Sequence, residues 1–481
     1  MTDVIPLWLV VALAFGVNFA IWGGLGVIRA IGAQLDAVRT EPQDTASRAY
    51  RERRRQAIGS VTAPIDPFNR PMERPDWLPE ASRRVALSDV AVLMAAHNEQ
   101  VVLADSLAAI TALVPREQVF VVSDGSTDAT VRIAEAAGVN VTETPENVGK
   151  AGALEHGIAE FGLVERFETV LFLDADTRLD SGYFEAALPV FDDPEIVAVA
   201  GCAHSDRRGR ASGLVGRLLL AHRGRVYSLT QRLLKYGQTG RRVNATHIVP
   251  GFASLYRTRV LPQIDMNPPG LVIEDFNMTF EIYRKRLGRV GFSLDAKAYT
   301  QDPDSLRDYV RQLRRWSLGL WQTARRHGLR ARGASFTAGF LLTELLTASL
   351  FLLFLPVLVG TMALAAAFPG LFAAPAAALG HQIVVGEVTW TMLLVTVLIA
   401  DYGLSIITAI AERDWRYLVY GLAFVPTRIL DAGIAVAAFV RMWTERSTGR
   451  WTSPTRRAVH SAESGNSGNS DETDERAFVT V

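Results

Sequence analysis

Residues 170–176 have the sequence Val-Leu-Phe-Leu-Asp-Ala-Asp, an apolar run that ends in two carboxylates. The run predicts a buried β-strand, and two similar apolar runs precede it at residues 90–96 and 119–122. Helical patterns accompany these strands near residues 101–113, 128–137 and 150–161. Strand–helix–strand alternation predicts an α/β domain with a doubly wound parallel sheet.

Polar residues follow each of the three predicted strands. The first run leads into His-Asn-Glu at residues 97–99, the second into Asp-Gly-Ser-Thr-Asp at 124–128, and the third into Asp174 and Asp176. Taken alone, the second segment is typical of a turn with a helix N-cap, and an Asp-x-Asp pair is common. Because ligands bind at the carboxyl ends of strands in such sheets, the three segments together predict one ligand site.

The residue types at this predicted site suit a nucleotide diphosphate and a divalent cation. Asp174 and Asp176 could share Mg²⁺ or Mn²⁺, which prefers oxygen ligands and would neutralise charge on a departing diphosphate. Lys150 lies at a predicted helix start, where free N–H groups favour anions, so it could reach a phosphate. The alternative for Lys150 is an exposed surface lysine.

Two further segments carry candidate chemistry. Glu274 and Asp275 close an apolar run, a placement that suits a general base but also an acidic helix start stabilised by the helix dipole. Residues 304–326 form a basic helical stretch of the kind that lies on anionic lipid headgroups. The sequence Gln-Leu-Arg-Arg-Trp at residues 312–316 is not explained by lipid binding.

Both ends of the chain are apolar enough for a membrane. Residues 4–28 carry no charge and, at about 1.5 Å per residue, exceed a hydrocarbon core of ~30 Å. We predict a retained transmembrane helix, with a cleaved signal peptide as the alternative. Arginines at residues 29–55 place the following segment in the cytoplasm.

Three more spans are predicted at residues 336–366, 388–411 and 417–440, with an external loop at 368–387. Four spans put both termini outside, yet the arginines after residue 440 favour the cytoplasm, so the last segment could be re-entrant or interfacial. The charged residues within these spans are Glu344, Asp401, Arg428 and Asp431. They could line a polar path for a glycan, or Arg428 and Asp431 could pair on one helix face.

Composition excludes several classes of function. The 50 basic and 50 acidic residues balance, so bulk charge does not favour nucleic acid as a partner. The single cysteine, Cys202, excludes a disulfide scaffold and a cysteine-based zinc cluster. Only four of the 50 basic residues are lysines, which is typical of a GC-rich, bacterial genome.

In this order the motifs resemble a membrane-embedded glycosyltransferase family 2 enzyme. The subgroup is that of cellulose, chitin, hyaluronan and poly-N-acetylglucosamine synthases, and the span arrangement is similar to the nodulation chitooligosaccharide synthases. The resemblance covers roughly residues 88–325. Residues 312–316 fit the Gln-x-x-Arg-Trp signature, and Glu274 and Asp275 fit the Thr-Glu-Asp motif with Ile273 in place of threonine.

The resemblance implies a GT-A-like fold and a role for each motif residue. Residues 97–99, which include Glu99, would hold the nucleotide with Asp124 and Asp174, and Lys150 would face the diphosphate. Asp176 would coordinate Mg²⁺ or Mn²⁺, and Asp275 would be the catalytic base. Gln312 and Arg315 would contact the donor diphosphate, Trp316 would stack on the acceptor sugar, and Gly251 would lie in the acceptor-binding loop at residues 249–254.

The implied reaction is inverting transfer from a UDP-sugar, with UDP-N-acetylglucosamine and UDP-glucose as leading donors. We predict a multi-pass plasma-membrane protein that contacts membrane lipids, has a cytoplasmic catalytic domain and extends a β-linked polysaccharide. Export would require a partner or a homo-oligomer, because four spans form a narrow channel. The alternatives are a single transfer to a lipid-linked or membrane acceptor, and a non-catalytic nucleotide-binding membrane scaffold.

The predicted organisation has six segments. They are a transmembrane helix at 1–31, a basic, proline-containing cytoplasmic linker at 32–87, a GT-A-like domain at 88–303, an interfacial helix at 304–333, three transmembrane or partly re-entrant helices at 334–443, and a disordered polar tail at 444–481.

Overall fold

A computed structural model of the chain describes residues 16–39, 84–206, 213–241, 243–328, 333–386, 388–445 and 456–457. Most of the predicted linker at 32–87 and of the predicted tail at 444–481 therefore lies outside the described residues. The strands are β1 (Val90–Ala96), β2 (Val119–Asp124), β3 (Asn140–Thr144), β4 (Thr169–Leu173), β5 (Arg178–Leu179), β6 (Ile196–Ser205), β7 (Ala253–Arg257) and β8 (Arg289–Thr300).

The α-helices separate and flank these strands. They are α1 (Val17–Arg39), α2 (Leu103–Thr111), α3 (Thr130–Ala136), α4 (Gly149–Glu160), α5 (Leu163–Arg166), α6 (Tyr183–Ala187), α7 (Gly213–Leu229), α8 (Tyr236–Gln238), α9 (Glu274–Arg284), α10 (Leu306–His327), α11 (Gly333–Ala367), α12 (Pro375–Val385), α13 (Trp390–Leu393), α14 (Ala400–Glu412), α15 (Arg416–Gly421) and α16 (Phe424–Arg441). Two π-helical segments, Thr230–Lys235 and Leu394–Ile399, join consecutive helices.

The eight strands form one sheet in the order β3-β2-β1-β4-β7-β6-β8-β5. Strands β1 to β4 pair in parallel, which agrees with the prediction from the alternating strand and helix patterns. Strand β7 runs antiparallel to both β4 and β6, so the sheet is mixed and not wholly parallel. Adding an antiparallel strand requires only that the chain re-enter the sheet from its opposite end, which local patterning does not encode.

Both faces of the sheet are covered by apolar side chains, as continuous apolar strands require. Every residue of β1, β2 and β4 is buried. Helix α4 packs closely on one face, where a Cβ on Gly157 would lie 2.5 Å from Val122 Cγ2. This close packing brings the start of α4 to the carboxyl end of β2.

Two helical segments are long and apolar enough to cross a membrane, Phe336–Ala367 and Pro375–Glu412. The second begins inside the predicted external loop, where α12 occupies Pro375–Val385. In the first predicted span, the described apolar helix Val17–Gly32 is shorter, and residues 4–15 lie outside the described part of the chain. Length and composition therefore support two of the four predicted spans.

Helix α10 joins the α/β domain to the apolar helices. Its Leu318 and Trp321 are buried against α11 and α16, and Trp321 Nε1 donates to the carbonyl of Ala435 at 3.2 Å. The Ser305 side chain caps α10 by accepting from Asp308 N at 3.1 Å. The helix that was predicted to be interfacial thus also packs against the apolar helices α11 and α16.

The charged residues of the predicted spans have partners from other elements. Arg428 pairs with Asp401 at 2.7 Å, while Asp431 accepts from Tyr309 Oη at 2.7 Å, so the proposed Arg428–Asp431 pair on one helix face is wrong. Glu344 accepts from the backbone and side-chain nitrogens of Asn18 at 3.0 and 2.7 Å. Pairing between helices satisfies these charges better than an i,i+3 pair would, because the partners are themselves buried or partly buried.

Candidate active site

The polar residues after β1, β2 and β4 converge at one edge of the sheet because these strands are parallel neighbours. The predicted site residues fall into three groups there. One turn surrounds Asp124, a charge cluster surrounds Lys150, and an acidic pair of Glu99 and Asp176 lies beside them.

Asp124 organises the turn that leads into α4. Its Oδ1 accepts from Val148 N at 2.8 Å and its Oδ2 accepts from Gly149 N at 2.9 Å. Thr144 Oγ1 adds a third hydrogen bond at 2.9 Å. The buried carboxylate therefore satisfies the free N–H groups of the helix start, and contact with a nucleotide would add to this structural role.

His97 connects this turn to the segment after β1. Its Nδ1 lies 2.5 Å from the carbonyl of Asp124, and Nδ2 of Asn147 lies 3.2 Å from its Nε2. The carbonyl can only accept, so Nδ1 carries the proton and Nε2 accepts from the amide. Gly125 adopts φ +58°, and a Cβ there would lie 2.8 Å from Asn147 N, so the turn requires glycine.

Lys150 sits at the centre of the charge cluster, which comprises Lys150, Asp174, Glu274 and Asp275. Its Nζ lies 2.7 Å from Asp174 Oδ1 and 3.2 Å from Glu274 Oε1. The same ammonium donates to the carbonyl of Gly251 at 3.1 Å. The structure thus excludes the exposed surface lysine that the sequence left open for Lys150.

Asp275 lies in the first turn of α9 and is held by the segment that contains Gly251. Gly251 N donates to Asp275 Oδ2 at 2.8 Å. A Cβ on Gly251 would lie 2.4 Å from Asp275 Oδ1 and 3.1 Å from Lys150 Nζ. Only glycine therefore allows the backbone to approach both charged groups, and the general-base and helix-start interpretations of Asp275 are compatible.

Burial and mutual charge separate the pKa values of the two adjacent acids. Burial and the charge of Glu274 raise the pKa of Asp275 to about 8. Burial acts in the same direction on Glu274, but Lys150 and the hydrogen bond from Asp275 outweigh it and lower the pKa of Glu274. Burial and mutual repulsion therefore favour the neutral form of Asp275 and the charged form of Glu274.

The pKa of Lys150 shifts in the direction that keeps it charged. Burial alone would lower this pKa, but the charges of Asp174, Glu274 and Asp275 raise it above its ordinary value. Burial also raises the pKa of Asp174, and the charge of Lys150 opposes that effect. A fixed ammonium beside the first aspartate of the Asp-x-Asp pair is suited to binding a phosphate oxygen.

A residue remote in sequence, Arg456, occupies the acidic pair of Glu99 and Asp176. Its Nε and Nη2 donate to the two carboxylate oxygens of Glu99 at 2.7 and 2.8 Å. Its Nη1 donates to Asp176 Oδ2. Glu99 is fully buried, so the guanidinium supplies the counter-charge that this carboxylate needs.

The acidic pair fits a divalent cation in the donor set it offers. Carboxylate oxygens are the ligands that Mg²⁺ and Mn²⁺ prefer, and the guanidinium already stands in as a cation between Glu99 and Asp176. Within the described residues, no three His, Cys, Asp or Glu side chains converge into a complete metal site. A cation here would therefore share its coordination between Asp176 and oxygens of a bound diphosphate.

The Gln-Leu-Arg-Arg-Trp motif lies on α10, next to the α/β domain. Gln312 Oε1 accepts from Arg223 Nη2 at 2.9 Å, and the Trp316 ring centre lies 4.5 Å from the Arg223 guanidinium carbon. Arg315 is exposed and is close enough to Glu274 to help lower its pKa. The structure thus brings Arg315 towards the charge cluster and places Gln312 and Trp316 against Arg223.

Sequence reasoning missed two arginines at this site. Arg456 lies in a segment that was expected to be a polar tail, 280 positions from Asp176. Arg223 lies on α7, which none of the quoted motifs includes. The run of arginines after the last apolar segment was the signal for Arg456, but topology alone was inferred from it.

Comparison with known proteins supports a family for this domain. Residues 88–319 match a family model described as glycosyltransferase like family 2. The match spans just under half of the chain, includes every strand of the sheet and reaches Trp316 on α10. No curated protein sequence matches the chain.

Solved structures of glycosyltransferases resemble the chain at low identity. A mannosyltransferase from Pyrobaculum calidifontis, solved with GDP-mannose and Mn²⁺, is 19% identical, with 90% of this chain and 99% of that chain covered and a TM-score of 0.46. Glucosyl-3-phosphoglycerate synthase from Mycobacterium tuberculosis is 18% identical, with coverages of 54% and 87% and a TM-score of 0.33. Mannosyl-3-phosphoglycerate synthase from Rubrobacter xylanophilus is 20% identical, with coverages of 49% and 73% and a TM-score of 0.33.

Proposed function

We propose that the chain is an enzyme that extends a β-linked polysaccharide from a UDP-sugar, because residues 88–319 match a glycosyltransferase-like family 2 model. The reaction is metal-dependent, inverting and located at the cytoplasmic face of the plasma membrane. One observation carries this proposal. Lys150, Asp174, Glu274 and Asp275 form one charge cluster beside the acidic pair of Glu99 and Asp176.

The donor lies along the carboxyl ends of β1, β2 and β4. The turn around Asp124 and His97 receives the nucleoside, and Lys150 contacts the diphosphate from the start of α4. Asp174 keeps the Lys150 ammonium in place through the 2.7 Å contact. Arg315, exposed beside the cluster, adds positive charge on the diphosphate side.

Asp176 would hold the divalent cation, and Glu99 would keep the Arg456 guanidinium beside it through the bonds to its two carboxylate oxygens. When bound, Mg²⁺ or Mn²⁺ supplies charge neutralisation for the departing nucleoside diphosphate. Arg456 must move off Asp176 for the cation to bind, because both compete for the same carboxylate oxygen.

Asp275 acts as the base in a single displacement. The acceptor hydroxyl oxygen forms a bond to the anomeric carbon as the bond from that carbon to the diphosphate oxygen breaks. Asp275 takes the hydroxyl proton, and the nucleoside diphosphate leaves with the electron pair. Attack opposite the leaving group converts an α-linked donor into a β-glycoside without a covalent intermediate.

The two long apolar helical segments support a membrane location for this chemistry. Helix α10 holds Trp316 against Arg223 and buries Trp321 against α16. An acceptor that leaves the site along α10 therefore approaches the apolar helices. A growing glycan or a lipid-linked acceptor satisfies this arrangement.

In the test, purified protein in nanodiscs is supplied with Mn²⁺ or Mg²⁺. Radiolabelled UDP-N-acetylglucosamine, UDP-glucose and other nucleotide sugars are then added in parallel. We expect one donor to give long, water-soluble labelled chains, and Asp275→Asn to abolish them while UDP binding persists. One or a few sugars on an organic-extractable lipid would replace the polysaccharide proposal with single transfer. Failure of every donor to turn over, despite UDP binding, would overturn the proposal.

A further inference from the structure

We infer that Arg223 is a positioning residue that holds Gln312 and Trp316 in the geometry needed for the acceptor. The inference rests on the proposed function, because it assigns Trp316 to the acceptor side of a glycosyl-transfer site. Arg223 lies on α7, and its side chain contacts the Gln-Leu-Arg-Arg-Trp motif on the neighbouring helix α10. No other hydrogen bond from α7 to the motif is present among the described residues.

Arg223 contacts both residues with one planar group. Its Nη2 donates to Gln312 Oε1 at 2.9 Å, and its guanidinium carbon lies 4.5 Å from the centre of the Trp316 ring. A guanidinium can stack on an aromatic face and donate a hydrogen bond in its own plane at the same time. The two contacts therefore set the orientation of Trp316 relative to Gln312.

Other buried or partly buried side chains restrict the position of the Arg223 guanidinium. The ring centres of Tyr309 and Tyr227 lie 5.0 and 5.8 Å from its carbon, and Arg223 is 4% exposed. Asp302 supplies the counter-charge, with Oδ1 3.7 Å from Arg223 Nε. An aromatic cage with a carboxylate at its base leaves the side chain little rotational freedom.

Asp302 connects this arrangement to the metal side of the site. It lies two residues after the end of β8 and accepts from Tyr227 Oη at 2.9 Å. At the end of β8, Thr300 Oγ1 lies 3.5 Å from Asp176 Oδ1. Through Asp302, Arg223 thus connects the Gln-Leu-Arg-Arg-Trp motif to strand β8, which lies beside Asp176.

Helix α7 is anchored to the apolar helices by the residues that flank Arg223. His222 Nε2 lies 2.9 Å from Asp431 Oδ2, and Arg225 makes contacts of 2.9 and 3.2 Å to the two oxygens of Asp401. His222, Arg223 and Arg225 are all buried. Because these contacts fix α7 on both sides of Arg223, the Arg223 side chain can hold Gln312 and Trp316 in one position.

A purely charge-balancing role for Arg223 would predict different geometry. The best hydrogen bond of a buried arginine normally goes to its carboxylate, yet the shortest polar contact of Arg223 is to neutral Gln312, at 2.9 Å against 3.7 Å for Asp302. The orientation thus serves Gln312, while Asp302 balances the charge from a longer distance.

The test compares Arg223→Lys and Arg223→Met with the wild-type protein in nanodiscs. Arg217→Lys is the matched control, because Arg217 is an exposed arginine on the same helix. With the donor that the wild type uses, we measure labelled sugar joined to product, labelled sugar released to water, and the Kd for UDP. Losing the planar guanidinium, which donates to Gln312 and stacks on Trp316 at the same time, should lower the ratio of transfer to hydrolysis about 10- to 100-fold in both variants, with the Kd for UDP unchanged.

Double variants separate positioning from general destabilisation. If Arg223 acts through Trp316, Arg223→Lys combined with Trp316→Ala should be no worse in the transfer ratio than Trp316→Ala alone. Additive losses, or equal falls in UDP binding and hydrolysis, would overturn the inference in favour of a structural role. Arg223→Met removes the counter-charge of Asp302 and could fail to fold, so Gln312→Leu breaks the same contact from the other side. This variant should reproduce the fall in the transfer ratio of Arg223→Lys, and its Kd for UDP is left out of the comparison because Gln312 is also expected to contact the donor diphosphate.

The outcomes also separate this inference from the proposed function. A wild-type protein that turns over no donor refutes the proposed function before any Arg223 variant is made. A wild-type protein that transfers sugar, together with Arg223 variants that keep the wild-type transfer ratio, refutes only the positioning role.

Discussion

Removing the Arg456 guanidinium should strengthen the binding of Mn²⁺ in the absence of any donor. Arg456→Gln deletes a cation that now occupies Asp176 and both oxygens of Glu99. A divalent ion then finds two carboxylates without a competing counter-charge. The change requires no rearrangement of β1 or β4, because both acids lie directly after these buried strands.

The magnitude follows from the contact that the metal must displace. A hydrogen bond to a charged partner is worth about 1.5–3 kcal/mol, and about 1.4 kcal/mol corresponds to a tenfold change in affinity. Only the bond to Asp176 has to break, since Glu99 can keep the other two. We therefore expect the Kd for Mn²⁺ to fall about 10- to 100-fold in Arg456→Gln.

Electron paramagnetic resonance of free Mn²⁺, titrated with protein in nanodiscs, measures this affinity without donor or turnover. Arg457→Gln is the matched control, because Arg457 lies next in sequence but pairs with Asp304 at 2.9 Å. Asp176→Asn in the Arg456→Gln background should abolish the gain. An Arg456→Gln protein that binds Mn²⁺ with wild-type or weaker affinity would refute competition for Asp176.

Four further results are expected at the charge cluster. The transfer rate should rise with pH through a midpoint near 8, because the base must be ionised to accept a proton. Burial and the charge of Glu274 raise the pKa of Asp275 to about 8. A rate that is constant from pH 6 to 9 would contradict this assignment. The stability of the fold should change with pH in the opposite direction, because folded Asp275 keeps a proton that the unfolded chain loses near pH 4. The free energy of unfolding should therefore fall as the pH rises from about 4 to 8. Urea titrations should show a smaller fall in Asp275→Asn. Lys150→Met removes a charge that lowers the pKa of Asp275, so the midpoint of any residual pH–rate profile should move upwards by about one unit or more, and a downward shift would contradict the assignment. Gly251→Ala places a methyl group 2.4 Å from Asp275 Oδ1, so transfer should fall by about 100-fold while UDP binding, measured by calorimetry, stays within about twofold.

Much of the α/β domain was predictable from local sequence. Buried strands β1, β2 and β4 have continuous apolar runs, and their order with the intervening helices predicts parallel pairing. The acids that follow them meet at one edge because the carboxyl ends of parallel neighbours coincide. That edge is where Lys150, Asp174 and Asp176 are found.

The antiparallel strand β7 and the helix at Pro375–Val385 were not predictable in the same way. The direction of a strand depends on where the chain returns after a long connection, and the residues of β7 would be equally buried in either direction. The apolar segment before residue 388 contains prolines that are typical of loops, yet Pro375 stands at the first turn of α12, where proline is tolerated.

The sequence by itself determined which chemical groups stand at the ends of the strands, because a strand and the residue that follows it are local in the chain. Only the tertiary structure decided which of these groups are paired. Arg456 reaches Glu99 across 357 positions, and Arg223 reaches Gln312 across 89. Contacts of this kind depend on the packing of whole helices against the sheet, and no spacing or periodicity in the sequence records them.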